Sequence, residues 1–319
     1  MNKAFVLGAG LGERLRPLTD QLPKPLIPVF QKPLITYAFD HLLAVGVREF
    51  VVNTHHIPGA YARAFPDQMY RGAPICFRNE SPQRLETAGG IANVRDLIGD
   101  EAFIVYNGDI LTDLPLAPLL EEHRTRGNMV TLALRGAGPA QHVAFDRSAG
   151  LVTDIRGMLG TGNAGEFLFT GIYVVEPAFF DWLTPGKVES VIPVFLAMIQ
   201  KGARLGGVII DEGRWWDLGN RTSYIEAHRE LRVLNSHFPH YAAPELRKRV
   251  SIDPSASVSS DAKLSGTNVV GANCVIDPGA ELADCILWPG SHVASDARLT
   301  RCILRAGTNA AGSHTDRDF

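Results

Sequence analysis

The last quarter of the chain repeats itself. Ile252, Val270, Leu287 and Leu304 are spaced 18, 17 and 17 residues apart. Val258, Ile276 and Val293 are spaced 18 and 17, as are Leu264, Leu282 and Leu299. Ala262, Ala280 and Ala297 form a fourth column of small residues. Within a turn the large apolar residues mostly recur every sixth position, with Gly, Pro, Asp and Asn between them. This is a hexapeptide period, three to a turn of a parallel β-helix, with later turns one residue short. A single turn cannot bury its inner face, so turns must stack. An ordinary β-sandwich does not place three columns in line. The domain is expected over 250–319. Its few turns need a cap or a partner, which predicts a homo-oligomer built through the β-helix. Residues 235–249, with Pro239, Pro244 and Arg247-Lys248-Arg249, read as a linker and solvated tether.

Residues 1–234 have a different texture, alternating short β-branched runs with helical patterns. Such alternation predicts an α/β domain whose mostly parallel strands are covered on both faces. Ala4-Phe5-Val6-Leu7 is a strand opening on a glycine-rich loop. Pro33 opens a helix carrying Leu34, Ile35, Ala38, Leu42 and Val45, with Gly46 as its stop. Glu49–Asn53 and Ile75-Cys76-Phe77 read as strands, and Ala88–Leu97 as a helix. Ala102–Tyr106 is fully apolar and ends in Asn107-Gly108-Asp109. Beyond Asn128 come strands at Met129–Leu134, Val143–Phe145, Leu151–Ile155 and Leu168–Val175, then helices over 190–200 and 221–234.

Composition removes several function classes. Thirty-one Lys and Arg against 34 Asp and Glu give a net charge of -3, which argues against nucleic-acid binding. No apolar run approaches the roughly 18–20 residues of a membrane span. The apolar stretch after Met1-Asn2-Lys3 is too short for a signal peptide. The four cysteines, at 76, 274, 285 and 302, have no zinc-finger spacing, so a reduced, cytoplasmic protein is expected.

The loop after the first strand carries the first chemistry. It reads Leu7-Gly8-Ala9-Gly10-Leu11-Gly12-Glu13-Arg14-Leu15-Arg16-Pro17-Leu18-Thr19. Its glycines let backbone approach a ligand and offer N–H groups to phosphate oxygens. A dinucleotide fold is excluded by spacing, because Glu13 stands where the third glycine of GxGxxG belongs. The proline-rich Pro23-Lys24-Pro25-Leu26-Ile27-Pro28 also rules out the helix such a fold requires. A lysine between two prolines reads as a positioned cation.

Gly-x-Gly-x-Arg-Leu-x-Pro-Leu-Thr followed by Pro-Lys-Pro-Leu-x-Pro-Val resembles the signature of the sugar nucleotidyltransferases. The resemblance continues through Leu85-Glu86-Thr87-Ala88-Gly89-Gly90, Asn107-Gly108-Asp109, Thr170-Gly171-Ile172-Tyr173 and Trp216-Asp217-Leu218-Gly219. It implies a Rossmann-like domain with a mixed, mostly parallel sheet, followed by a short left-handed parallel β-helix. It also implies Mg²⁺-dependent attack of a sugar 1-phosphate oxygen on the α-phosphorus of a nucleoside triphosphate. Such transfer needs positioning and charge neutralisation. Arg14 and Lys24 are the implied catalytic cations. Leu7, Gly8, Ala9, Gly10, Gly12, Thr87, Gly89 and Gly108 are implied at the nucleotide, with Glu80 and Gln83 as candidates for the base edge. Asp109 and Asp217 are the implied metal carboxylates, since Mg²⁺ prefers hard oxygen ligands. Turn residue and helix N-cap are their respective structural alternatives. Thr170 and Gly171 resemble the sugar-binding strand.

Two features depart from the pattern. Many members carry Glu-Lys-Pro after a Val-x-x-Ile strand, whereas here Val152-Thr153-Asp154-Ile155-Arg156 runs into Gly157-Met158-Leu159. Arg156 or Lys187 is the candidate replacement at the sugar phosphate, and Glu166 at a hydroxyl. The Leu7-Gly8-Ala9-Gly10 order and Glu86-Thr87 are similar to short muramate 1-phosphate uridylyltransferases. The tail is more similar to that of mannose 1-phosphate guanylyltransferase-like proteins, which leaves base and sugar open. Two other classes remain. One is a regulatory paralogue that binds nucleotide sugar without turnover. The other is a hexapeptide acyltransferase, for which His292 would be the base.

Overall fold

The computed structural model describes residues 1–163, 165–233, 240–241 and 251–319. The expected linker, including Arg247-Lys248-Arg249, lies outside them except for His240 and Tyr241. The chain forms two compact units. The first is Met1–Gly10, Tyr37–Trp215 and His240–Ala242; the second is Leu11–Thr36, Trp216–Pro239 and Ala243–Phe319. The glycine-loop continuation and the helix Arg221–Val233 thus group with the C-terminal strands, a division that differs from a simple split at residue 234.

The first unit is built on ten strands: β1 Lys3–Leu7, β2 Glu49–Thr54, β3 Met69–Tyr70, β4 Ala73–Asn79, β5 Phe103–Asn107, β6 Val130–Arg135, β7 Val143–Asp146, β8 Leu151–Ile155, β9 Leu168–Val175 and β10 Leu205–Ile209. Their order across the sheet is β7-β8-β10-β6-β9-β5-β1-β2-β4-β3. β1 is parallel to β2 and β5, and β2 to β4, whereas β9 is antiparallel to β5 and β6. The sheet is therefore mixed, with a parallel part around β1. Phe5, Val51, Phe103 and Val105 are completely buried and share a core with Ala88 and Ile91 of the helix Glu86–Ala92 and Val194, Phe195 and Met198 of the helix Val191–Gln200. Strands covered on both faces need this continuous apolarity. Ser190 caps the second of these helices, its Oγ accepting from Ile192 N at 3.3 Å.

Two helix boundaries shift from expectation. Pro33 belongs to a two-residue strand paired with Pro28-Val29, and the helix runs Ile35–Ala44. The helix expected over Ala88–Leu97 is two, Glu86–Ala92 and Arg95–Ile98. Asn93, a residue that competes for backbone hydrogen bonds, stands at the break.

The register brings the parallel strand ends together. Leu7 lies opposite both Asn53 and Asn107, and Thr54 opposite Asn79. The chain leaves β1 toward β2 on one side and returns to β5 on the other. Such a reversal opens a crevice at the carboxyl ends, where α/β sheets bind ligands.

In the second unit the tail strands form three parallel sheets, visited in rotation. One contains Ser257–Val258, Val275–Ile276, His292–Val293 and Asn309–Ala310. The next contains Lys263–Ser265, Glu281–Ala283, Arg298–Thr300 and Ser313–Thr315, and the third Val269–Val270, Ile286–Leu287 and Ile303–Leu304. Advancing one strand per circuit is the connectivity of a β-helix. The sequence columns are its register: Val270 pairs with Leu287 and Leu287 with Leu304, and Leu264 with Leu282 and Leu282 with Leu299. Ala280 and Ala297 are fully buried inside. Asn268, Cys285 and Cys302 form a further column, with Asn268 Oδ1 accepting from Cys285 N at 3.0 Å and Cys302 buried one turn on. All four cysteines are free.

Candidate active site

In the first unit, the crevice begins where β1 gives way to Gly8. Gly8 N donates to Asn53 Oδ1 at 2.7 Å, and Tyr61 Oη donates to Gly8 O at 2.8 Å. Asn53 Nδ2 in turn donates to Glu80 Oε1 at 2.6 Å, and Leu85 N donates to Glu80 Oε2 at 2.8 Å. Asn53 and Glu80 are each only 2% exposed. One buried carboxylate therefore ties the start of the glycine loop to the segment entering the helix Glu86–Ala92. Both Glu80 oxygens are engaged here, so the structure places this candidate base reader as a strut beneath the loops. Gln83 is exposed. Ala9 is buried, while space is open around Gly10.

The neighbouring loop is packed as tightly. Gly89 N donates to Glu189 O at 3.3 Å, and a Cβ there would stand 2.2 Å from Lys187 O, which only glycine permits. Thr87 Oγ1 accepts from Val191 N at 2.7 Å, so this hydroxyl holds the entry of the helix Val191–Gln200. Lys187 Nζ is paired with Glu189 at 2.6 Å and its side chain is half exposed.

β5 ends in a turn containing Gly108 and Asp109. Gly108 N donates to Leu7 O at 3.0 Å, which sets this turn beside the glycine loop. Burial first, and the Asp109 carboxylate second, hold the Tyr61 phenol far above its ordinary value. The hydroxyl that grips Gly8 thus stays protonated and donating.

Gly171 lies at a register shift in β9 with φ +81°, and a Cβ there would fall 2.5 Å from Asn107 Nδ2. Its absence of a side chain makes room for Asn107, two residues before Asp109. Thr170 is fully buried, its hydroxyl donating to Ala133 O at 2.9 Å and its carbonyl accepting from Trp215 Nε1 at 2.8 Å. The structure therefore commits Thr170 to the sheet interior.

Arg156 and Glu166 are exposed. The unusual Arg156-Gly157-Met158 turn wraps Asp154, whose carboxylate accepts from Ile155 N at 2.7 Å, Leu159 N at 3.0 Å and Thr161 Oγ1 at 3.0 Å. Burial pushes the Asp154 carboxyl up, but these donors together outweigh it and hold it below the usual range. A carboxylate accepting several N–H bonds behaves this way.

In the second unit, Gly12 O accepts from Leu15 N and Thr19 Oγ1, both at 2.9 Å, and a short 3-10 turn presents Arg14. The third such turn in this segment, Lys24–Leu26, buries Lys24 to 7% side-chain exposure. Lys24 Nζ meets Asp217 Oδ1 at 3.3 Å, and Arg14 Nη2 meets Asp217 Oδ2 at 3.9 Å. The structure thus brings together Arg14, Lys24 and Asp217, which are far apart in sequence. Asp217 is not the cap of the following helix: Asn220 Oδ1 accepts from Ser223 N at 3.0 Å there.

Among the described residues no group of three or more His, Cys, Asp or Glu converges on a metal position. Carboxylates such as Asp109 and Asp217 are hard oxygen donors, the type that suits a hard divalent cation completing its shell with other oxygens. Among the described residues, no helix is long and apolar enough to cross a membrane.

Parallel strand ends that meet at a glycine loop in the first unit, and two cations gathered on a carboxylate in the second, are each features of a phosphate-handling α/β enzyme. The profile of the nucleotidyl transferase family matches residues 3–233, and the chain belongs to that family, as the signature implied. It is 30% identical over 303 residues to mannose-1-phosphate guanylyltransferase of Mycobacterium tuberculosis, covering 93% of this chain and 83% of that one. It is 34% identical over 226 residues to N-acetylmuramate alpha-1-phosphate uridylyltransferase of Neisseria meningitidis, covering 70% and 96%. The solved inositol-1-phosphate CTP transferase of T. maritima shares the fold, with TM-score 0.60, 18% identity and coverage of 70% and 91%. The chain is thus a nucleotidyltransferase of a family that generally works with a divalent metal ion.

Proposed function

We propose that this enzyme transfers a nucleotidyl group from a nucleoside triphosphate to a sugar 1-phosphate. The sugar-phosphate oxygen forms a bond to the α-phosphorus, the α–β phosphoanhydride breaks, and pyrophosphate leaves with the β-phosphoryl bridge oxygen. The observation that carries this reading is Lys24, a nearly buried ammonium held with Arg14 on Asp217. Incoming phosphate oxygens would share these cations with the carboxylate, neutralising charge where it develops. Arg14 and Lys24 are the proposed catalytic residues. Backbone at Leu7, Ala9, Gly10, Gly12 and Thr87 would cradle the nucleotide, with Gly8, Gly89 and Gly108, whose N–H groups already donate within the protein, shaping the approach. Asp109 and Asp217 would hold Mg²⁺, which would supply Lewis-acid stabilisation of the phosphates. Arg156 or Lys187 meets the sugar-side phosphate, and Glu166 and Gly171 the sugar. The proposed domains are 1–234, catalytic; 235–249, a linker; and 250–319, a left-handed β-helix.

The candidate substrate pairs are mannose 1-phosphate with GTP and a muramate-type 1-phosphate with UTP, to which the uridylyltransferase relative named for glucose 1-phosphate adds a third. Pyrophosphate release across nucleoside triphosphates and sugar 1-phosphates tests the proposal. No release with any pair would leave the non-catalytic binding reading. Four free cysteines and nucleotide chemistry support a cytoplasmic setting. Ile252 and Val275, 39% and 40% exposed, support self-association through the tail. Sedimentation as a monomer at micromolar concentration would refute that.

A further inference from the structure

The second unit joins the loop bearing Arg14 and Lys24 to the tail, and the joints sit just beyond these two cations. Arg305 Nη1 donates to Pro17 O at 3.3 Å, while its Nε donates to Phe319 O at 2.7 Å. Gln31 Nε2 donates to Val270 O at 2.9 Å. Between them the helix Arg221–Val233 acts as an intermediary. Trp288 Nε1 donates to Tyr224 Oη at 3.1 Å, and Tyr224 Oη donates to Pro28 O. His228 Nε2 accepts from Phe30 N at 3.1 Å, which requires the proton on Nδ1, where it faces Tyr224 O at 2.7 Å. Arg221 fastens the start of the helix, donating to Asp318 at 2.7 Å and to Arg301 O.

Trp288 reveals the design. It follows the inward-facing Leu287, so its side chain leaves the solenoid on the outer wall, yet it is 1% exposed. An outer tryptophan with its N–H satisfied marks a wall built to be covered.

We propose that the β-helix is a buttress for the signature loop, with Tyr224 and Arg305 as positioning residues for Arg14 and Lys24. The proposal rests on the reading that those two cations handle phosphates. The loop's own bonds are short-range, among them Leu15 N to Gly12 O, Arg16 N to Glu13 O, Asp20 N to Pro17 O, Leu26 N to Pro23 O and Ile27 N to Lys24 O, with Thr19 Oγ1 to Gly12 O. Such single turns open readily unless something outside them holds their flanks. The tail supplies that hold directly at Pro17 and Gln31, and at Pro28 through Tyr224, which accepts from Trp288. A transition-state contact displaced by about 1 Å loses much of its worth, so the buttress acts on turnover.

The test uses the full-length Tyr224→Phe/Arg305→Met double variant, with Trp288→Phe as a gentler change and Lys263→Ala, on a distant coil pair, as control. Hydrogen exchange is followed at the amides of Leu15, Arg16, Leu26 and Ile27, and kinetics at temperatures where folding is verified by circular dichroism. The double variant should speed exchange at these amides about tenfold while β1 amides stay protected. It should lower kcat roughly tenfold or more, with KM for the sugar phosphate changing less than about threefold. Trp288→Phe should shift both in the same direction by less, and Lys263→Ala neither. Unchanged exchange at the four amides in a folded double variant overturns the buttress, whether or not activity falls. Faster exchange with unchanged kcat also overturns it. Faster exchange in a protein whose wild type releases no pyrophosphate would instead overturn the transferase reading.

Discussion

Replacing Asn53 by alanine tests whether a buried side-chain network sets the glycine loop. The substitution removes the acceptor of Gly8 N and the donor to Glu80 Oε1, contacts of 2.7 and 2.6 Å at positions only 2% exposed. It leaves a backbone N–H and one carboxylate oxygen buried without those partners. Each such orphan costs about 1–3 kcal/mol, more when charged, so the loss should be about 4 kcal/mol. At about 2–4 °C per kcal/mol for a domain of this size, the melting temperature should fall by about 8–16 °C. The Asn53→Leu/Glu80→Met pair strands no charge and should be milder than the sum of its single changes. Denaturant unfolding of the four proteins gives the coupling, expected at about 1–3 kcal/mol. Function should follow, with KM for the triphosphate raised about tenfold as Gly8 loses its anchor. A loss below about 1 kcal/mol, or strict additivity, would refute the reasoning.

Other perturbations reach the remaining parts of the site. Asp109→Asn or Asp217→Asn should lower kcat by roughly two to four orders of magnitude, and near-normal turnover at saturating Mg²⁺ would remove them from the metal role. Arg14→Lys should not restore activity, because a single ammonium cannot copy the planar guanidinium fork; steady-state kinetics decides this. Gly171→Ala must hold an alanine at φ +81° and displace Asn107, 2.5 Å from the new Cβ, so about 2–4 kcal/mol of stability should be lost, measured by urea unfolding. His41 is fully buried, with Nε2 facing Leu114 O at 2.8 Å and Nδ1 facing Tyr106 Oη at 3.1 Å. Burial pushes its pKa from 6.5 to about 3, against the raising effect of the Leu114 carbonyl. Its neutral form is favoured in the fold, so this stability is whole above pH 6.5. It should be lost at about 1.4 kcal/mol per unit as pH falls from 6.5 toward 3. His41→Gln should flatten that part of the stability–pH curve, and an unchanged slope would contradict the assignment.

The sequence by itself determined most of the strands, the solenoid and the chemistry class. Solenoid columns such as Val270, Leu287 and Leu304 were legible because stacking demands a strict period, and each column became a ladder register. Leu151–Ile155 and Leu168–Val175 were bounded as strands to the residue. The signature named Arg14, Lys24 and Asp217, and these came together. Tertiary structure alone decided which neighbours those residues keep. Glu80 read as a base contact because a carboxylate in a loop has no visible partner in sequence; the partner, Asn53, arrives from another strand. Thr170 read as a sugar contact, and the β-bulge at Gly171 and the sheet turned its hydroxyl inward. An asparagine at the end of the apolar Glu49–Thr54 strand was the one available hint of that network. The compact units likewise regrouped the loop 11–36 with the tail. Periodicity records what a segment repeats along its own length. Pairings such as Tyr224 with Pro28 join residues about two hundred apart, and only chain closure in space makes them neighbours.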